Sequence, residues 1–87
     1  MSAEAEMPRY KSHKEVWALK IKSLVIDPKS DGLLLTPVEE GYAPFVVDAA
    51  YVEKHKPQAG GYYVVYKDGY KSWSPAEAFE EGYELIK

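Results

Sequence analysis

The chain has 87 residues, 46% of them apolar and 29% charged, with no cysteine and a formal net charge of −3 at pH 7. A chain this short buries only about 60–65% of its unfolded surface, so a shallow or shared site is expected over a deep enclosed one. The acidic balance disfavours wrapping a long nucleic acid, the lack of cysteine removes disulfides and thiolate metal sites, and no apolar run reaches membrane-spanning length.

Residues 1–8 read as a small, acidic, disordered leader ending at Pro8, followed by a single α+β domain over residues 9–87. The leader lacks the basic start and apolar stretch of a signal peptide, so the protein is expected to stay in the cytosol where it is made. Arg9, Tyr10, His13 and Lys14 form a basic and aromatic cluster at the start of the domain. The run from Glu15 to Ile26 is open to two readings. Trp17, Leu19 and Ile21 alternate as in a strand, while Trp17, Ile21, Leu24 and Val25 recur at helical spacing. The strand is favoured because β-branched and aromatic residues are dense and because a later hairpin needs a further strand over its apolar face.

Asp27 to Gly32 has loop composition, and Leu33 to Thr36 reads as a strand broken by Pro37 to Gly41. Tyr42 to Val47 resumes as a strand with Pro44 at a position where a missing donor is tolerated. Asp48 then caps a short helix, Ala49 to His55, closed by Pro57. Gln58 to Gly61 turns into a hairpin in which Tyr62 to Lys67 and Tyr70 to Trp73 flank Asp68-Gly69, a pair suited to a two-residue type I′ turn. In that register Tyr66 faces Lys71 and Val64 faces Trp73, so one face holds Tyr62, Val64, Tyr66, Lys71 and Trp73. The other holds Tyr63, Val65, Lys67, Tyr70 and Ser72. A second helix follows, with Ser74 as N-cap, Pro75 at its first position, Glu77 completing a capping box and Gly82 as the stop. Its Phe79 and Tyr83 are expected to fold back on the hairpin, where Val64 with Trp73 offers the larger target. The fold class is therefore α+β, a small antiparallel sheet of about four to five strands with two short helices.

Catalytic signatures are scarce. His13 and His55 share no metal-ligand spacing, Ser72 and Ser74 lie in no nucleophile motif, and Gly60-Gly61 precedes a strand where a phosphate loop would precede a helix. Glu39-Glu40 and Glu80-Glu81 read as solvated charge on a turn and a helix surface. No catalytic residue, metal site or cofactor is expected. Eight tyrosines and two tryptophans exceed what a core of this size needs and suit a contact surface. Lys67, Tyr70, Lys71 and Trp73, with Arg9 and Tyr10 as a second group, form the candidate ligand patch: ammonium groups hold a phosphate while a ring stacks a base.

The segment from Tyr62 to Pro75, continuing to Phe79, Tyr83 and Ile86, resembles a C-terminal unit common in small proteins of tailed bacteriophages. Within that group it is similar to the C-terminal half of the phage Thoeris anti-defence sponges, small oligomeric proteins that sequester cyclic nucleotide signals made by bacterial immune enzymes. The resemblance covers about 27 of the 87 residues. Asp68, Gly69, Trp73, Pro75, Phe79 and Tyr83 match positions that build that unit, so they bear on architecture more than on ligand chemistry. The stretch from Pro8 to Ile21 onward also looks like a family of small phage proteins. The sponges open with a helix where this chain opens with what reads as a strand. The resemblance implies a phage-encoded, non-catalytic protein in the cytoplasm of an infected bacterium, a homo-oligomer that holds a small anionic nucleotide between subunits. The alternatives are an anti-CRISPR-like protein inhibitor of a host defence enzyme and a minor phage accessory protein.

Overall fold

The computed structural model describes residues 7–11 and 15–85, with the side chains of residues 10, 11, 84 and 85 left aside. Seven strands and two helices follow in the order β1 (Arg9–Lys11), β2 (Glu15–Ile26), β3 (Leu33–Pro37), β4 (Phe45–Val47), α1 (Ala49–His55), β5 (Tyr62–Tyr66), β6 (Lys71–Ser74), α2 (Ala76–Gly82) and β7 (Glu84–Leu85). All ladders are antiparallel. Five strands form a curled sheet in the order β6, β5, β2, β1, β7, and β3 with β4 extends it from the second half of β2.

The twelve-residue β2 holds this arrangement together, and the strand reading of Glu15 to Ile26 stands. Its two edges serve different neighbours. On one edge the Ala18 N–H donates to the Pro8 carbonyl at 2.9 Å and the Lys20 carbonyl accepts from the Val38 N–H at 2.8 Å, so β1 and β3 lie end to end. On the other edge the Ile21 N–H donates to the Gly61 carbonyl and its carbonyl accepts from Gly60, continuing the β5 ladder. A bulge between Ile21 and Ser23 shifts the register against β3. Bulges of this kind bend a strand, which suits the change of partner at that point.

Alternation along β2 and β5 builds a core on each face of the sheet. Leu19, Ile21, Tyr63 and Val65 join Leu35, Val47, Tyr51 and Met7 on the first face, under α1. Val16, Ala18, Tyr62 and Val64 join Phe79 on the second, under α2. Met7, which the sequence assigns to the leader, is thus buried in the first core, while residues 1–6 lie outside the described residues.

Helix α1 follows its sequence signals residue for residue. The Asp48 carboxylate accepts the Tyr51 N–H at 2.8 Å, and Lys56 ends the helix in the left-handed region at φ 46° ahead of Pro57. Helix α2 departs from them. Ser74 stays in β6 opposite Tyr62, its hydroxyl donates to the Pro75 carbonyl at 3.2 Å, and Pro75 occupies the cap position without a side-chain cap bond. No Ser-x-x-Glu capping box forms, because the first helical residue is Ala76, one later than expected, and Glu77 merely supplies first-turn negative charge. Gly82 is likewise inside the helix; the helix ends because Tyr83 turns extended, at φ −130° and ψ 146°, to lead into β7.

The hairpin register is also corrected. Tyr62 faces Ser74, Tyr63 faces Trp73, Val64 faces Ser72 and Val65 faces Lys71, one residue away from the expected pairing. A type I′ turn needs positive φ at both loop residues, and here Gly69 alone has it, at +91°. The Asp68 carboxylate accepts the Tyr70 N–H at 3.0 Å, the Gly69 N–H donates to the Tyr66 carbonyl, and the Tyr66 N–H donates to the Tyr70 carbonyl. The loop is therefore Lys67-Asp68-Gly69, a turn followed by a glycine bulge. Because side chains alternate, the single-residue shift moves Lys71 and Trp73 to the face of Tyr63 and Val65, away from Val64.

Candidate functional site

That shift divides the candidate patch. Lys67 and Tyr70 border a concavity of about 460 Å³ at the hairpin tip, together with Tyr66 and Asp68. Lys71 borders a different groove, of about 540 Å³, on the first face. Trp73 borders neither. Its ring packs on the first core directly over Gly61, where a Cβ would come within 2.5 Å of it. The indole Nε1 is buried there with no hydrogen-bond partner among the described residues, so Trp73 is a packing residue.

Arg9 and Lys67 are drawn together by a carboxylate. Glu15 accepts from the Arg9 guanidinium at 3.3 Å and pairs with the Lys67 ammonium at 3.5 Å. At the same end, Tyr70 lies beneath Lys54, whose Nζ is 4.9 Å from the ring centroid, and beside the His55 ring at 6.0 Å. Every cation named here already has a carboxylate or a ring to face. The Tyr10 side chain, His13 and Lys14 lie outside the described residues.

The groove beside Lys71 has a different composition. Residues Gly41 to Val46 line one side, where Gly41 at φ +94° and Pro44 delay the start of β4 until Phe45. Leu19 and Tyr63, both buried, form its floor, and Phe45 meets Tyr63 edge-on with ring centroids 5.0 Å apart. Tyr42 adds a third ring. Among the residues lining this groove Lys71 is the single charged one, and it makes no ion pair among the described residues. Three aromatic side chains with one ammonium suit a planar, negatively charged small molecule. Sequence reasoning named Lys71 but missed Tyr42, Phe45 and Tyr63 as its neighbours. The available signal was Pro44, which marks where the chain cannot pair fully.

The perturbed groups elsewhere serve the framework. Burial pushes the Tyr51 hydroxyl above its ordinary value, with the nearby Tyr63 and Tyr70 adding to the shift, and that hydroxyl donates to the Ser72 carbonyl at 2.6 Å. The Glu80 carboxyl is lowered first by the hydrogen bond from the Tyr62 hydroxyl, at 2.7 Å, and then by the one from Lys20. Among the described residues no group of three or more His, Asp or Glu side chains is placed to hold a metal ion, and no helix is long and apolar enough to cross a membrane. Compared with protein-family models, curated proteins and solved structures, the chain matches none of them.

Proposed function

We propose that this protein is a non-catalytic binding protein that takes up a small nucleotide-like anion in the groove beside Lys71. The observation that carries the reading is the meeting of the Lys71 ammonium, which has no ion pair among the described residues, with the rings of Tyr42, Phe45 and Tyr63 around about 540 Å³ of open space. A phosphate on Lys71 and a base against the rings use both chemistries at once. The resemblance to the phage sponges supplies the biological role: a phage protein that sequesters a cyclic nucleotide signal in the host cytoplasm, with the groove completed between subunits.

The test is depletion and recovery. Protein mixed with cyclic mono- and dinucleotides should remove one of them from the filtrate and release it intact on heat denaturation. Lys71→Ala should weaken uptake about 10- to 100-fold, the loss expected for one charge-assisted hydrogen bond, with an unchanged circular dichroism spectrum. Nucleotides left in the filtrate, or recovered in degraded form, would sink the proposal.

A further inference from the structure

Among the described residues, α2 covers only part of the second face of the sheet. Phe79 of α2 packs on Val16, Ala18, Tyr62 and Val64. Farther along, Val25, Leu34 and Val46 stand opposite one another across β2, β3 and β4 and so form one row on one face. The reverse side of these strands, with Leu24, Leu35 and Phe45, belongs to the first core or packs on it. Val25 is 53% exposed and Val46 45%, and the row belongs to neither core cluster. Exposed apolar rows of this kind mark contact surfaces.

Charge narrows the occupant. Residues 21–48 carry five carboxylates, Asp27, Asp31, Glu39, Glu40 and Asp48, against two ammonium groups, Lys22 and Lys29. The difference is −3, the whole formal charge of the chain, so the remaining residues balance to zero. No ion pair among the described residues involves any of these five carboxylates; the pairs present are Arg9 with Glu15, Lys20 with Glu80 and Lys67 with Glu15. Asp48 is engaged as the N-cap of α1. The other four sit in the two loops that bound β3, so a second copy seated on the same face would set these loop carboxylates against their own copies, and like charges across an interface are costly. A partner with apolar side chains at its centre and lysine or arginine around them meets the opposite situation.

We propose that the outer face of β2, β3 and β4 is a docking surface for a protein partner with a basic, apolar-centred contact surface. The inference rests on side chains other than those of the nucleotide reading: Lys71, Tyr42, Phe45 and Tyr63 are not part of the row, Val25 and Leu34 do not line the groove, and Val46 alone belongs to both.

The probe is an amphipathic helical peptide of leucine and lysine, compared with the same peptide carrying glutamate for lysine. Titrated into isotope-labelled protein, the basic peptide should shift the backbone amides of Val25, Leu34 and Val46. Affinity should fall about tenfold for the double charge reversal Glu39→Lys with Glu40→Lys, and should also fall with added salt. Val25→Thr with Val46→Thr keeps strand-forming residues in place and should abolish the response with an unchanged circular dichroism spectrum. An equal response to the acidic peptide, shifts confined to other regions, or an undiminished response in the threonine variant each overturns the proposal. So does movement of the same three amides when the protein alone is concentrated, because that would make a second copy the occupant.

Discussion

The two halves of β2 carry similar side chains and meet different surroundings. Over the first half, Val16 and Ala18 lie beneath Phe79 and are fully buried, while Trp17 and Leu19 face the first core. Over the second half, Leu24 turns to the first core but Val25 is 53% exposed. The difference lies in the cover, since α2 packs over one half and, among the described residues, no helix packs over the outer face of the other. A valine in this strand is thus buried or exposed according to a helix about fifty to sixty residues away, a long-range fact that local alternation does not carry.

The largest expected effect breaks the covered half. Phe79 is 1% exposed and stacked between Tyr62, at 4.2 Å between ring centroids, and Tyr83, at 4.6 Å. Phe79→Ala leaves a cavity in the second core and should cost about 3–5 kcal/mol, read as a lower urea midpoint. In a domain whose total stability is about 5–15 kcal/mol, that loss brings the chain close to unfolding. A midpoint unchanged by Phe79→Ala would mean that α2 is not what distinguishes the two halves.

How much of this was legible beforehand depends on the range of the deciding interaction. Asp48, Lys56 and Pro57 act on their own neighbours, and α1 begins and ends where they place it. The β2 strand was readable because Trp17, Leu19 and Ile21 alternate, although the bulge after Ile21 was not. The hairpin was readable as a hairpin but not in register, because Asp68 had two local options: to adopt positive φ or to accept the Tyr70 amide. That choice moved Lys71 to the other face and separated it from Tyr66 and Tyr70, so its companions differ from those the expected register implies. Its neighbours Tyr42 and Phe45 arrive from more than 25 residues away, through the β3 and β4 extension. Strand β7 has two residues and carries no periodic signal at all.

A smaller effect sharpens the account of how α1 holds the first face. The Tyr51 hydroxyl bonds the Ser72 carbonyl, and Tyr51→Phe should cost about 1 kcal/mol at neutral pH by removing that bond. Burial raises this hydroxyl above its ordinary value of 10.0, and burial first, then Tyr66, raises that of Tyr83. Above pH 10 the unfolded chain therefore gives up phenolic protons that the folded chain retains. Stability is full below that point and declines as the pH rises through it. Urea midpoints at neutral and at alkaline pH should show a steeper decline for the natural chain than for Tyr51→Phe. Parallel declines would place the alkaline sensitivity elsewhere.

The smallest expected effect, at Val25, belongs to the most direct measure of the contrast, which places one substitution in both halves of one strand. Valine and threonine have nearly the same shape and both favour strands, so Val→Thr leaves backbone preference almost untouched and asks only what the side chain faces. At Val16, 0% exposed, the new hydroxyl is taken from water into the second core, and the cost should be about 1–3 kcal/mol. At Val25, 53% exposed, the hydroxyl stays in water and the change should lie within about 0.5 kcal/mol of zero. Equilibrium unfolding of the two variants, measured at low protein concentration, isolates the influence of α2 from every other property of β2. If Val25→Thr costs as much as Val16→Thr under those conditions, the outer face of β3 and β4 is covered within the free chain, and the surface that would receive a basic partner does not exist.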